Sequence, residues 1–352
     1  MKLYEIIIKP VSGFGTPLKG DTIFGHFCWQ AAYDPSLLNG GLDRWIACYR
    51  ERPFAVFSSA WPKLVDNGKF FYAFKRPDLP LSFLFPPSSD DRKKVFEELK
   101  ENQKKKWMKV NENLSLASNL VEYLTGEDLI KAFKKQITEE TEKTMRGKRH
   151  QKLYGDFIQQ HNTINRLTMT TGEGMFAPFT KTAVFYYPET ELAVFVLLDE
   201  EATDIDRVCA AMENIGNFGF GRDASTGCGR FGLAESTELP LPSAGSCDAC
   251  YALSPTVPDL KKGIFSDQYF TPFVRFGKHG DVLATSENPF KNPVLMADEG
   301  AVFIPKNNDV FKKPYIGRAV LNTSKIKEHA VVHQGYAPYL PFRLEMKHEG
   351  TN

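Results

Sequence analysis

The sequence predicts an α+β fold in two units, and three observations carry that prediction. Residues 1–238 order their periodic segments as strand, helix, strands, a charged insertion, two strands, helix, glycine-rich loop and strand. Without the insertion this approximates βαββαβ, the ferredoxin-like order shared with RNA-recognition folds. A composition break follows at Leu239 to Ser246, LPLPSAGS, which is the natural boundary. Beyond it, residues 239–352 form short runs punctuated by Gly and Pro with weak helical periodicity, so the second domain is strand-rich. A chain of 352 residues with 42% hydrophobic and 13% aromatic side chains can give both units a core.

Taken in order, Leu3 to Lys9 reads as a strand, and the loop SGFGTPLKG leads to Asp21, a candidate N-cap. Ile23, Phe24, Phe27, Cys28 and Ala31 then form one face of a helix from Thr22 to about Ala32. Pro53 to Ala60 (PFAVFSSA) and Lys69 to Phe74 (KFFYAF) are strand-like. From about 88 to 160 the composition turns to mixed charge, an inserted helical segment with Leu129, Ile130, Phe133 and Ile137 as its apolar stripe. Its lysine clusters, Lys104 to Lys106 and Lys134 with Lys135, read as a solvated face, whereas RGKRHQK (146–152) is dense enough to touch phosphate.

Thr182 to Tyr187 and Glu191 to Leu198 are two alternating runs joined by PET, read as a hairpin. Thr203 to Asp206 has a capping-box shape, and Ile205, Val208, Cys209, Met212 and Ile215 place a helix over Asp204 to Ile215, ended by Gly216. Gly229 to Ala234 reads as a short strand. The second unit offers SDQYFTPFVRFG, PVLMADEGAVFI, YIGRAVLN and AVVHQGYAPYLPFRLEM as its strand segments.

Between that helix and strand, Gly216 to Gly232 reads GNFGFGRDASTGCGRFG, six glycines in seventeen residues. So many glycines fit a place where the chain needs positive φ or where another backbone comes very close. The interleaved Arg222, Ser225, Thr226 and Arg230 suggest that the neighbour is anionic. The order helix, loop, strand is the reverse of a P-loop or dinucleotide fingerprint, and GxxxxGK[ST] is missing, which argues against nucleotide hydrolysis.

Composition bounds the function further. Lys plus Arg number 44 against 43 acidic residues, so a uniformly basic nucleic-acid coat is excluded and any polyanion site has to be local. The opening MKLYEIIIKP is interrupted by Lys9 and Pro10, so neither a signal peptide nor a membrane anchor is expected, and no stretch approaches the ~18 apolar residues of a span. Six cysteines over this length suit reduced thiols in a cytoplasmic protein. Cys247 and Cys250 form one CxxC without a second pair at recognisable spacing, so ordinary loop cysteines are expected, with no metal and no cofactor.

As a set, TPLKGDTIFGHFCW (Thr16 to Trp29), HNTINR (His161 to Arg166), the run Gly221 to Phe231 and the tail HQGYAPYLPFRLE resemble one family. It is the RAMP-superfamily subunit four of the type III-A (Csm) CRISPR effector complex, in the Cas-five-like group. The resemblance implies two ferredoxin-like domains, a glycine-rich loop that meets RNA, and no catalytic residue. It further implies an RNA-binding subunit of an antiviral ribonucleoprotein that caps one end of the effector. There it would hold the 5′ repeat-derived handle of the crRNA beside the large Cas-ten subunit and the first backbone RAMP subunit. The chain departs from the family in its long charged insertion and in Cys228, where a basic residue is common.

The residues give this a chemistry of their own. Backbone amides at Gly219, Gly221, Gly227 and Gly229 can line up as a nest for a phosphate oxygen, with a charge-assisted contact from Arg222 or Arg230. Ser225 and Thr226 can bond a 2′-hydroxyl or a phosphate. At the start of the first helix, Lys19, Gly20 and Asp21 combine a point charge with free amides, although Asp21 reads first as a cap. Arg166 is the phosphate candidate of its segment, with His161 and Asn162 equally suited to structure. His333 and Tyr336 can stack a base, but core packing is their default. A rival reading is a metal-independent guide-RNA-processing endoribonuclease with His26 as general base; no partner acid is evident for it, and helix packing suits His26 better. A third reading is a scaffold that touches only protein.

Overall fold

In a computed structural model the chain is described at all residues except 67, 148–151, 260–262, 327–330 and 345–352. Most of RGKRHQK therefore lies outside the described residues. The first half contains β1 (Lys2–Pro10), α1 (Gly20–Tyr33), α2 (Leu42–Cys48), β2 (Ala55–Asp66), β3 (Lys69–Lys75), α3 (Leu81–Leu84) and α4 (Arg92–Lys104). Then follow β4 (Trp107–Asn111), β5 (Leu116–Ala117), β6 (Glu122–Leu124), α5 (Gly126–Lys134) and α6 (Glu139–Met145). β7 (Tyr154–His161), β8 (Phe179–Tyr186), β9 (Glu191–Leu198), α7 (Ile205–Phe218) and β10 (Phe231–Leu239) complete it.

The second half is built of strands: β11 (Ala249–Ala252), β12 (Phe265–Tyr269), β13 (Pro272–Arg275), β14 (Val294–Ala297), β15 (Val302–Pro305), β16 (Tyr315–Gly317), β17 (Val320–Leu321), β18 (Val332–His333) and β19 (Tyr336–Arg343). Among the described residues of this half there is no α-helix, only short 3-10 turns. The fold is thus mixed α+β with several sheets.

The main sheet has seven strands in the order β10-β1-β9-β2-β3-β4-β6. Its first four members place the fourth, first, third and second strands of the βαββαβ reading side by side, each pair antiparallel. α1 and α7 pack together over it. A second sheet runs β12-β15-β11-β19-β16, and β5 of the inserted region joins it parallel to β19. One hydrophobic core runs from Ile6, Phe27, Phe57, Phe195 and Met212 to Tyr251, Leu253, Leu340 and Phe342, so side chains of both halves share it.

Four local expectations are corrected. The 88–160 region is not simply helical: α4, α5 and α6 form, but β4 and β6 extend the main sheet, because Met108 and Val110 alternate inward within a stretch whose overall charge hides them. The expected hairpin does not pair with itself. β9 (ELAVFVLL) is buried along nearly its whole length and has β1 on one edge and β2 on the other, which leaves β8 no edge there; β8 pairs instead with β7 in a two-stranded ribbon.

Asp21 is not the cap of α1: the helix begins at Gly20, the capping position is Lys19 and no side chain bonds back. α7 does not stop at Gly216 but runs to Phe218, capped at its start by Asp204, whose side chain accepts from Arg207 N. Gly216 lies inside the helix, and glycine is required there because β10 passes so close that a Cβ would lie 2.2 Å from the Phe231 carbonyl oxygen. The α5 stripe behaves as expected, with Leu129, Ile130 and Phe133 buried against Leu64, Phe71 and Tyr187. No helix among the described residues is long and apolar enough to cross a membrane.

Candidate nucleic-acid interface

The glycine-rich loop leaves α7 through Gly219 and folds back on itself before β10. At Gly229, φ is +74° and a Cβ would lie 2.1 Å from the Phe220 carbonyl oxygen; at Gly221 it would lie 2.5 Å from the Thr16 side chain. The close neighbour that these glycines admit is therefore the chain's own backbone and the preceding loop, not an outside anion. The amides tell the same story. Gly219 N donates to Ile215 O, Gly221 N to His26 Nε2, Gly227 N to Ala224 O and Gly229 N to Gly13 O. The expected nest of free glycine amides is corrected: all four are already donated within the fold.

What the loop presents outward is its side chains. Arg222, Ser225, Thr226 and Arg230 are exposed, and Gly227 has open space where a Cβ would stand. The Arg222 guanidinium donates to Thr182 O and lies 3.4 Å from the Asp223 carboxylate. The Arg230 backbone is pinned to Ser12 and Val11, while its guanidinium has no ion-pair partner among the described residues. Such a rim supplies cations and hydroxyls for phosphates and 2′-hydroxyls without reading a base edge.

The loop is held rigid from three sides. His26 on α1 accepts from Gly221 N at 3.1 Å and lies 4.6 Å, ring to ring, from Phe220. Burial pushes the His26 imidazole down to about 4, so it is neutral at pH 7, with its Nε2 lone pair engaged and the proton on Nδ1. Thr16 Oγ1 accepts from Arg222 N at 2.9 Å. The β7–β8 ribbon adds the third side through Lys181, whose ammonium is 2.9 Å from Asp223.

Lys19, Gly20 and Asp21 face elsewhere. The Lys19 ammonium pairs with the Asp298 and Glu299 carboxylates and lies 4.9 Å from the Phe273 ring centre. Burial pushes the Glu299 carboxyl up to about 7, against the opposing pull of Lys19. Buried Asp21 takes both arms of the Arg275 guanidinium, at 2.7 and 3.0 Å. A Cβ on Gly20 would meet the Phe57 carbonyl oxygen at 2.2 Å. These three residues join the start of α1 to the second half, and their charges are matched there.

Arg166 lies in the connection between β7 and β8, exposed and without an ion-pair partner among the described residues. It belongs to the connection of the same ribbon that holds the glycine loop, but among the described residues no hydrogen bond or ion pair joins Arg166 to that loop. Ile164, Leu167, Met169 and Met175 are exposed around it. His161 stacks on Phe179 at 5.4 Å. His333 and Tyr336 are buried, and the Tyr336 hydroxyl donates to Arg50 O. No group of three or more His, Cys, Asp and Glu among the described residues is placed to hold a metal ion.

Sequence reasoning missed Ser12, Thr16, Lys181 and Thr182 as supports of the loop, and Arg275, Asp298 and Glu299 as the partners of the α1 start. Lys181 stands 42 residues before Asp223, in a strand whose polar positions all look alike, so nothing local distinguishes it.

Two solved structures share this fold along the whole chain. A crystal structure of a Csm1–Csm4 cassette in complex with pppApA contains a chain that matches with a TM-score of 0.52 at 14% identity, covering 99% of this chain and 100% of that one. A crystal structure of a Csm3–Csm4 subcomplex in the type III-A CRISPR-Cas interference complex gives a TM-score of 0.54 at 15% identity, with 97% and 100% covered. No protein-family model and no curated protein matches the sequence.

Proposed function

We propose that this chain is a subunit-four RAMP component of a type III-A CRISPR effector, a cytoplasmic ribonucleoprotein of antiviral defence, and that it holds the 5′ handle of the crRNA. The observation that carries this reading is the exposed rim of Arg222, Ser225, Thr226 and Arg230 on a loop fixed by His26, Thr16 and Lys181. The end-to-end likeness to chains of Csm1–Csm4 and Csm3–Csm4 structures supports the setting. By analogy with those assemblies, the partners are the large Cas-ten subunit on one side and the backbone RAMP subunit on the other. The division falls at residues 239–246, and the strand-rich second half is a divergent ferredoxin-like domain.

The rim binds by charge and shape. Arg230 and Arg222 meet phosphates, and Ser225 and Thr226 meet 2′-hydroxyls or phosphate oxygens. Gly227, at the loop's open side, lets the strand approach, while the other loop glycines set the shape of the rim. The role is non-enzymatic, a reading that agrees with His26 beside the loop having its basic nitrogen committed to Gly221 N.

Co-expression with both partner subunits and a guide array, followed by sequencing of the retained RNA and mapping of cross-links, tests this. Handle sequences cross-linked within 221–230, and less retained RNA for Arg222→Glu with Arg230→Glu, are the expected results. Unchanged retention would sink the loop's role. Cleavage of repeat RNA by the isolated protein in EDTA, abolished in His26→Ala, would replace this reading with the nuclease one.

A further inference from the structure

We propose that a cleft where β3 and β4 meet the second half holds one unpaired nucleotide of the bound RNA strand. This rests on the reading of the chain as an RNA-binding subunit. The cleft, ≈ 510 Å³, is lined by Lys75, Arg76, Lys106, Trp107, Tyr154 and Glu299 among others. That volume lies within the range of sites for small organic ligands.

Its walls divide by chemistry. Trp107 and Tyr154 meet edge to face, 5.8 Å apart at 81°, and both stay partly exposed, so each keeps ring surface turned to the cleft. A base stacks on such a surface whatever its identity. Lys106 is exposed and has no ion-pair partner among the described residues. The Arg76 guanidinium is anchored by one nitrogen, Nη1, to the Asn102 and Lys105 carbonyls at 2.9 and 3.0 Å, and its other nitrogens have no hydrogen-bond partner among the described residues. These two cations suit a phosphate.

Acceptors complete the site. Asp78 and Glu299 also line the cleft, with the Asp78 carboxylate 3.2 Å from the Lys75 ammonium and accepting from Thr271 N. Carboxylates beside a ring wall favour the amino edge of a base and disfavour a bare inorganic anion. Charged groups on so many sides likewise disfavour a purely apolar guest.

The cleft and the glycine loop are joined by one piece of chain. Residues 11–19 hold the loop through Ser12, Gly13 and Thr16, then reach Lys19, whose partner Glu299 lines the cleft. A strand lying on the rim would follow this segment toward the aromatic pair.

The test uses the full chain and a ten-nucleotide single-stranded RNA carrying 4-thiouridine. Cross-links to peptides containing Trp107 or Tyr154, and affinity weakened about tenfold in Trp107→Ala, the order expected for one lost stacking contact, support the cleft. Lys106 is exposed, so Lys106→Glu is expected to keep the wild-type melting temperature, measured alongside, and its expected loss of affinity, about three- to tenfold, is then not a folding effect. Cross-links confined to 221–230, with wild-type affinity in Lys106→Glu, overturn the cleft and leave the loop reading standing. No cross-link at either place overturns both. Protection of the Trp107 peptide by a nucleoside monophosphate at micromolar concentration, without effect on RNA affinity, overturns the assignment to a strand.

Discussion

Gly229 and Gly227 share the left-handed backbone region, yet their surroundings differ completely. A Cβ at Gly229 would enter the Phe220 backbone at 2.1 Å, whereas at Gly227 it would meet nothing within 4 Å. Gly229→Ala is therefore expected to destabilise by ~3 kcal/mol or more, through clash plus strain, and Gly227→Ala by ~1 kcal/mol, through strain alone; denaturant melts separate them. Glycine density was legible in the sequence, but the partner in each close approach was not, and so a packing device read as an anion cradle. His26 gives a pH signature. Its folded value near 4 lies below the ordinary histidine value, so the unfolded chain binds the proton first. Stability should hold above pH ~6.5 and fall by about 1–3 kcal/mol as pH drops toward 4, and His26→Gln should flatten that slope in urea melts. An unaltered slope would mean that burial does not keep the His26 ring neutral.

At the scale of elements, the start of α1 is a clamp between halves. Asp21 is buried and its charge is met by Arg275, with His333 Nε2 3.4 Å away. Arg275→Ala leaves a carboxylate stranded and is expected to lower stability by ~3–5 kcal/mol, while Asp21→Asn with Arg275→Ala should recover much of that; thermal melts of the three variants form the cycle. Equal losses in single and double variants would show that the fork does not carry the charge. The helix itself was legible from its apolar spacing, but its first turn reads from sequence as an anion site or a cap, because a sequence cannot show that Arg275 of β13 and the Asp298–Glu299 pair after β14 return to meet its charges. Strand pairing failed for a related reason. β8 and β9 were both visible as strands, but which one the sheet would take depended on β1 and β2 competing for the same edges.

At the scale of the molecule, a polyanion site confined to a few cations sets how RNA binding should respond to salt. With two to four cations engaged on a single strand, the slope of log K against log salt is expected near −1.5 to −3, far from the steep dependence of a basic coat. The boundary at residues 239–246 poses the larger question. Composition marks a break there, yet the contacts across it are extensive. The Gln334 side chain bonds both N and O of Phe57, Trp61 Nε1 donates to Leu253 O, and the Tyr251 hydroxyl donates to Lys75 O. Leu253, Leu340 and Phe342 also fill the same core as Phe27 and Phe195. Removing residues 239–352 would expose that apolar surface and leave the backbone of Phe57 and the Trp61 indole without their partners, each a loss of about 1–3 kcal/mol. The whole chain should therefore melt in one transition, with circular dichroism and tryptophan fluorescence coincident, and residues 1–238 alone should bind hydrophobic dye and lack a cooperative melt. Two separated transitions, or a cooperative fragment, would instead make the Pro-rich break a true boundary between independent domains, and the shared core a docking surface between them.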